Sequence, residues 1–259
     1  MKEFSAGAAK GAQYIRMVAG GRTNSGKTTF ASSAPAPCFL SDVTEGGYKV
    51  ITNMAKRDDE RALWWDPNVE PYIMACETMG DIPQAITKLH NLASTGKLPW
   101  KTLVFDSLSI YGLRVLRELK AGGGHADGRQ RYGELADAVA AHVARIHALP
   151  MHVIWLCHVD DDFNLSLPGK ATAATWANMD YKVLTYADTS GKNPDYQLRT
   201  QPFRGANWLG GRGGTKVRLP DPMIPSFKCI AQIVGLLEKP VSPACPTFGG
   251  VDYSLGAEY

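Results

Sequence analysis

Eight residues, Gly21-Arg22-Thr23-Asn24-Ser25-Gly26-Lys27-Thr28, carry glycine, lysine and hydroxyl groups at the spacing G-x-x-x-x-G-K-[ST]. The glycines let successive backbone N–H groups turn inward and cradle phosphate oxygens at the start of a helix. Lys27 would reach the β- and γ-phosphates, and the Thr28 hydroxyl would sit on Mg2+. Tyr14 to Ala19 reads as an apolar strand entering the glycines, and Thr29-Phe30-Ala31-Ser32 as the helix leaving them. A chance glycine turn would not bring both flanks. The residues Gly21 to Thr29 are therefore the expected nucleotide-binding set, with ATP as ligand.

A phosphate loop needs a carboxylate on the metal side, at the end of another core strand. Thr102-Leu103-Val104-Phe105-Asp106-Ser107 supplies one, and Asp106 would hold Mg2+ through water. The competing reading is a helix cap, a task that suits both Asp106 and Ser107. Many loaders and unfoldases of the AAA+ type carry a catalytic Glu directly after this Asp. Here Ser107 stands in that place, so the group that activates water must come from elsewhere. Glu45 is the candidate, in Phe39-Leu40-Ser41-Asp42-Val43-Thr44-Glu45-Gly46-Gly47, just past a second strand. Asp42 is its rival, and a solvated acidic loop is the plain alternative.

These groups need elements to position them. Apolar residues recur at helical spacing at Ile82, Ala85, Ile86, Leu89 and Ala93, then from Leu108 to Leu119, then from Tyr132 to Val143. Short apolar runs at Cys38–Leu40, Thr102–Phe105 and Val153–Cys157 read as buried strands. Strands alternating with helices predict an α/β fold with a mostly parallel sheet covered on both faces. Tyr181–Tyr186 and Tyr196–Gln201, joined by a turn-rich connector, predict a C-terminal β-hairpin extension. Phe227, Ile230, Ala231, Val234 and Leu237 predict one closing helix. Residues 1–238 are expected to form one domain, and 239–259 an irregular Pro/Gly-rich tail.

Composition narrows the classes. The chain has 259 residues, 44% hydrophobic and 20% charged, which excludes wholesale disorder. Its net charge of +3 gives no whole-chain footprint of a nucleic-acid binder, so any such binding must be local. Five scattered cysteines without a C-x-x-C pair argue against zinc or a disulfide framework and for a reducing compartment. The N-terminus has no continuous apolar core like that of a signal peptide. The most apolar stretch, Leu149–Cys157, is too short to cross a bilayer, so no membrane partner is expected.

The ordered set of motifs resembles the RecA-like core of a phage-type family of P-loop ATPases used in single-strand annealing and recombination. The shared pattern is a Walker A loop near the N-terminus, a strand leading to an acidic Glu-Gly-Gly segment, a strand ending in Asp-Ser, and a strand ending in His, here His158. It runs from about Tyr14 to Leu237. One spacing differs: two residues separate Asp42 from Glu45, where one is usual. The resemblance implies Mg2+-dependent ATP hydrolysis, self-assembly into a ring or filament, and single-stranded DNA as partner. A single-strand-binding or replication protein is a further implied partner, and the cytoplasm of a bacterial host cell the implied location.

Under this resemblance His158 would sense the γ-phosphate; the alternative is a histidine satisfied by Asp160, Asp161 or Asp162. That aspartate run, even with Asp180, reads as a solvated turn rather than a metal site. Two mobile loops would face DNA, Ala121–Arg131 with Lys120, Arg129 and Arg131, and Phe163–Ala177 with Lys170 and Trp176. In the resembled family a basic residue near Gly210–Gly214 reaches a neighbouring subunit's γ-phosphate, so Arg212, Lys216 and Arg218 are candidates for that trans finger. Two rival functions stand beside this one: a P-loop kinase of a small metabolite or nucleoside, and a nucleotide-switched loader without turnover.

Overall fold

The computed structural model describes residues 14–42, 72–78, 80–121, 128–167, 179–211 and 217–236. Its centre is a sheet in which β1 (Arg16–Gly21) lies between β5 (His152–His158) and β6 (Tyr181–Asp188). Beyond β5 come β4 (Thr102–Asp106), β2 (Pro37–Asp42) and β3 (Tyr72–Cys76), and all six strands run parallel. β7 (Asp195–Arg199) closes the other edge antiparallel to β6. The two-residue β8 (Gly210–Gly211) pairs with the start of β6. This is the mostly parallel α/β sheet, covered by helices, that the alternation of strands and helices predicts.

The strands alternate faces with period two, and the two faces have separate cores. Val18, Leu103, Phe105, Val153 and Trp155 meet α2 (Asp81–Ser94), α3 (Leu108–Ala121) and α4 (Gly128–His147) on one side. Met17, Ala19, Val104, Ile154 and Leu156 meet Phe30 of α1 (Lys27–Ser32) and Phe227 and Ile230 of α5 (Phe227–Ile233) on the other. Burial on both faces explains why β1 and β5 read as unbroken apolar runs. In α2 the buried residues are Ile82, Ala85, Ile86 and Leu89, as the spacing predicts. Asp81 closes its N-terminal turn by accepting the N–H groups of Glu77 (2.9 Å) and Thr78 (2.7 Å), which holds its carboxyl below the usual range.

Several expectations shift. β3 was not foreseen: Tyr72–Cys76 is a short edge strand after Pro71, anchored by Tyr72 stacked on Trp100 at 4.5 Å. The hairpin is more than an appendage, because its first strand, β6, is itself a parallel member of the core beside β1. α4 begins at Gly128 rather than Tyr132, so Arg129 and Arg131 lie in its first turn and not in a loop. α5 stops at Ile233, because Gly235 takes φ 73°, the left-handed conformation that ends helices. Among the cysteines Cys38, Cys76 and Cys157 are buried thiols, but Cys229 is disulfide-bonded, against the expectation from count and spacing. Pairing depends on folded proximity, which spacing does not report. No helix among the described residues is long and apolar enough to cross a membrane.

Candidate nucleotide site

β1 ends at Gly21, and the chain turns through Arg22–Gly26 before α1. Two left-handed residues make that turn, Asn24 (φ 62°) and Gly26 (φ 87°). Asparagine is among the few side chains that tolerate this region, and glycine does so freely. The loop is closed by Ser25 N–H to Arg22 O (3.2 Å) and Phe30 N–H to Gly26 O (2.8 Å). Lys27 is buried and folds back over the loop, its Nζ donating to Gly21 O (2.9 Å) and Arg22 O (2.8 Å). The ammonium therefore stands over the anion cradle, held by carbonyls that an incoming phosphate would compete with.

Asp106 ends β4, two strands away from β1, and is 3% exposed. Thr28 Oγ1 donates to Asp106 Oδ2 at 3.3 Å, spanning 78 residues of sequence. Beside it, Ser107 Oγ accepts the Ile110 N–H (3.4 Å) in the first turn of α3, the capping task that suits either residue. A hydroxyl and a carboxylate side by side are hard oxygen donors of the type Mg2+ takes.

His158 ends β5, in register with Gly21 on one side, and is half-buried at the same end of the sheet as the phosphate loop. Its N–H donates to Ser109 Oγ (2.9 Å), and its carbonyl accepts from Ser166 (2.9 Å). Asp160 turns on itself, accepting from the N–H groups of Asp162 (3.0 Å) and Asn164 (2.8 Å). Asp161 faces the phosphate loop: Arg22 donates to its carbonyl at 2.7 Å and lies 3.5 Å from its carboxylate. Arg22 also lies over the Phe163 ring, 4.6 Å from its centroid. Phe163 is buried with Leu184, Ala206 and Leu209, so the second expected DNA loop is anchored at its start rather than free.

Two residues of the hairpin, unforeseen in sequence, complete the surroundings. Thr185 on β6 is buried, and its Oγ1 lies 2.8 Å from Ser25 Oγ and donates to Gly20 O at 3.2 Å. A side chain at Gly21 would collide with both the Ser25 and Thr185 hydroxyls, which is why glycine is required there. Tyr196 on β7 lies against Gly26: a Cβ at Gly26 would come within 3.3 Å of its ring. The pairing of Gly21 with Thr185 carries β6 three residues past the end of β1, and this overhang brings the hairpin to the loop.

The remaining expected residues are dispersed. Lys120 is exposed in the last turn of α3. Arg218 is exposed, donates to Gln201 Oε1 (2.9 Å), and lines a small cavity with Tyr181 and Lys182 at the opposite end of β6 from Asp188. Tyr181 and Lys182 pair with Met17 and Val18, well before the phosphate loop, so Arg218 does not belong to its own chain's site. Glu45, Lys170, Trp176, Arg212 and Lys216 lie outside the described residues, as do the side chains of Asp42, Arg129 and Arg131 and the tail 239–259.

A family model described as an AAA domain (AAA_24) matches residues 13–184, about two thirds of the chain, including the phosphate loop, Asp106 and His158. No curated protein matches the sequence. Among solved structures the chain is similar to a prototypical ATPase of the type III secretion system of pathogenic bacteria. That likeness is at 13% identity and TM-score 0.44, over 66% of this chain and 51% of that one. It is also similar to a KaiC-like protein of the hyperthermophilic archaeon Pyrococcus horikoshii OT3, at 12% identity and TM-score 0.45, over 73% of this chain and 79% of that one. The chain thus spans about half the length of the secretion ATPase. The chain belongs to the AAA domain family.

Proposed function

We propose that the protein is a Mg2+-dependent ATPase that binds single-stranded DNA as an oligomer, a ring or a filament, and supports phage-type recombination or strand annealing. The observation that carries the catalytic part is the convergence of Lys27, Thr28 and Asp106 at one end of the sheet, joined by the Thr28–Asp106 hydrogen bond. The DNA and recombination part rests on the motif order shared with the phage-type family.

In this reading the loop N–H groups and Lys27 bind and neutralise the phosphate chain. Thr28 and Asp106 would hold Mg2+, which when bound neutralises charge developing on the phosphate oxygens. Glu45, with Asp42 as rival, orients or deprotonates the attacking water, and His158 relays the state of the site into the segment after β5. Arg212, Lys216 or Arg218 reaches a neighbouring subunit's site. Lys120, Arg129, Arg131 and Lys170 meet the DNA backbone. Residues 1–238 form the ATPase unit, and 239–259 an appended tail.

The test is ATP hydrolysis with and without single-stranded DNA, alongside the mass in solution. Hydrolysis that rises with DNA in an assembly larger than one chain is the expected result. Turnover indifferent to DNA but dependent on a small acceptor would make the protein a kinase. Tight ATP binding without turnover under either condition would make it a loader.

A further inference from the structure

We infer that Tyr196 is the stacking platform for the base of the bound nucleotide, and that the β6–β7 hairpin forms the base-side wall of the site. The inference rests on the nucleotide reading above and adds to it where the base lies and what recognises it. The direction of the phosphate chain follows from the metal side. Thr28 and Asp106 would hold Mg2+, which would neutralise the terminal phosphates, and that pair lies toward β4. The γ end of the chain therefore points toward β4, and the nucleoside must leave on the other side of β1, where β6 and β7 stand.

On that side an aromatic ring is waiting. Large apolar side chains left exposed among the described residues are Leu113, Tyr132 and Tyr196. The first two are on α3 and α4, whereas Tyr196 lies against the phosphate loop at Gly26 and the residue is still 45% exposed. Its backbone is fixed by pairing with Ala187 in the overhang of β6. Gly26 sits at φ 87° with Tyr196 carbon where its Cβ would point, so the loop and ring are built against each other. An exposed ring beside an anion cradle suits a ligand with a phosphate chain at one end and a flat π-system at the other. The class is a nucleoside triphosphate held by its base through stacking, which is tolerant of base identity.

Calorimetric titration of the full chain with ATP and with inorganic tripolyphosphate, which has no base, tests this. Tyr196→Ala should weaken ATP by about tenfold or more, within the range of a lost stacking contact, and leave tripolyphosphate unchanged. Tyr196→Phe should bind ATP like the wild type, since the ring and not the hydroxyl makes the contact. Undiminished ATP affinity in Tyr196→Ala overturns the inference, as does an equal loss for both ligands, which would mean that the ring merely props the loop. In either case Lys27→Ala should still lose both ligands, so the nucleotide reading survives. If the wild type binds neither ligand, that reading fails and this inference with it.

Discussion

The phosphate loop has two walls built in different ways. Toward β4 the wall is buried and charged: Asp106 is sealed at a strand end and reached by Thr28, and Ser107 beside it is spent on capping a helix. Toward β6 the wall is neutral and half open: a buried hydroxyl pair, Ser25 and Thr185, sits below the exposed ring of Tyr196. The difference follows from what each side must handle. Charge that develops during phosphoryl transfer is stabilised most where water is excluded and donors are fixed. A base that must enter and leave is better served by a flat, uncharged surface open to solvent. Under the proposed function, the chemistry falls on the rigid side and exchange on the accessible one.

Asp106→Asn should break the charged wall with the largest effect, because it removes a fixed charge from the centre of the site without changing its shape. ATP turnover should fall by roughly 100- to 1,000-fold, the usual size for loss of one preorganised electrostatic group, while the far-ultraviolet circular dichroism spectrum stays the same. If turnover survives, Asp106 is a strand-end cap and not a metal-side ligand.

At the opposite end of the sheet from the phosphate loop, the last residue of α4 and the first of β5 are histidines that burial keeps neutral. Burial, with Arg16 nearby, pushes His147 down to about 4, and burial pushes His152 down to about 4. Each accepts a hydrogen bond that protonation would break: His147 Nε2 from the Trp155 indole (3.1 Å), and His152 Nδ1 from the Ile15 N–H (3.0 Å). An unfolded chain takes up these protons near pH 6.5, whereas the folded chain refuses them until about pH 4. Their contribution is therefore full above pH 6.5 and lost as the pH falls toward 4, on the order of 2–3 kcal/mol for each ring. Urea melts at pH 7, 5.5 and 4.5 should show this decline, and His152→Gln should flatten it. An unchanged midpoint over that range would mean that both rings protonate freely in the folded state.

Thr185→Val tests the neutral wall with the smallest effect. It keeps the shape but deprives Ser25 Oγ and Gly20 O of their partner, so stability should drop by about 1 kcal/mol. Nucleotide affinity should weaken only a few-fold, far less than for the β4 side. A loss of turnover as large as that of Asp106→Asn would show that the two walls are not distinct in kind.

The walls also differ in how readily a sequence reveals them. Gly21 to Thr28 is contiguous, so its chemistry is legible from spacing alone, and Asp106 follows from an apolar run that ends in a carboxylate. β1, β4 and β5 are buried on both faces, which gives them unbroken apolar signatures, and α2 and α3 show a clean helical period. Thr185 and Tyr196 have no such signal. Their roles arise from register, the pairing of Gly21 with Thr185 and of Ala187 with Tyr196, across gaps that no local pattern bridges. Edge strand β3 has no clear signature for a related reason: five mixed residues on the rim of a sheet lack the uniform burial that makes a strand obvious. The start of α4 at Gly128 was hidden by the adjoining glycines, whose poor helix propensity the tertiary structure overrides.

The central claim is that this loop binds and cleaves a nucleoside triphosphate, and Lys27 is the residue on which it depends most directly. The decisive measurement is the steady-state release of inorganic phosphate from ATP with Mg2+ by the wild type and by Lys27→Ala, at a temperature where both are folded. Turnover in the wild type, reduced in the variant by about 100-fold or more as expected for a lost phosphate-stabilising charge, is the predicted result. Near-normal turnover by Lys27→Ala would contradict the account.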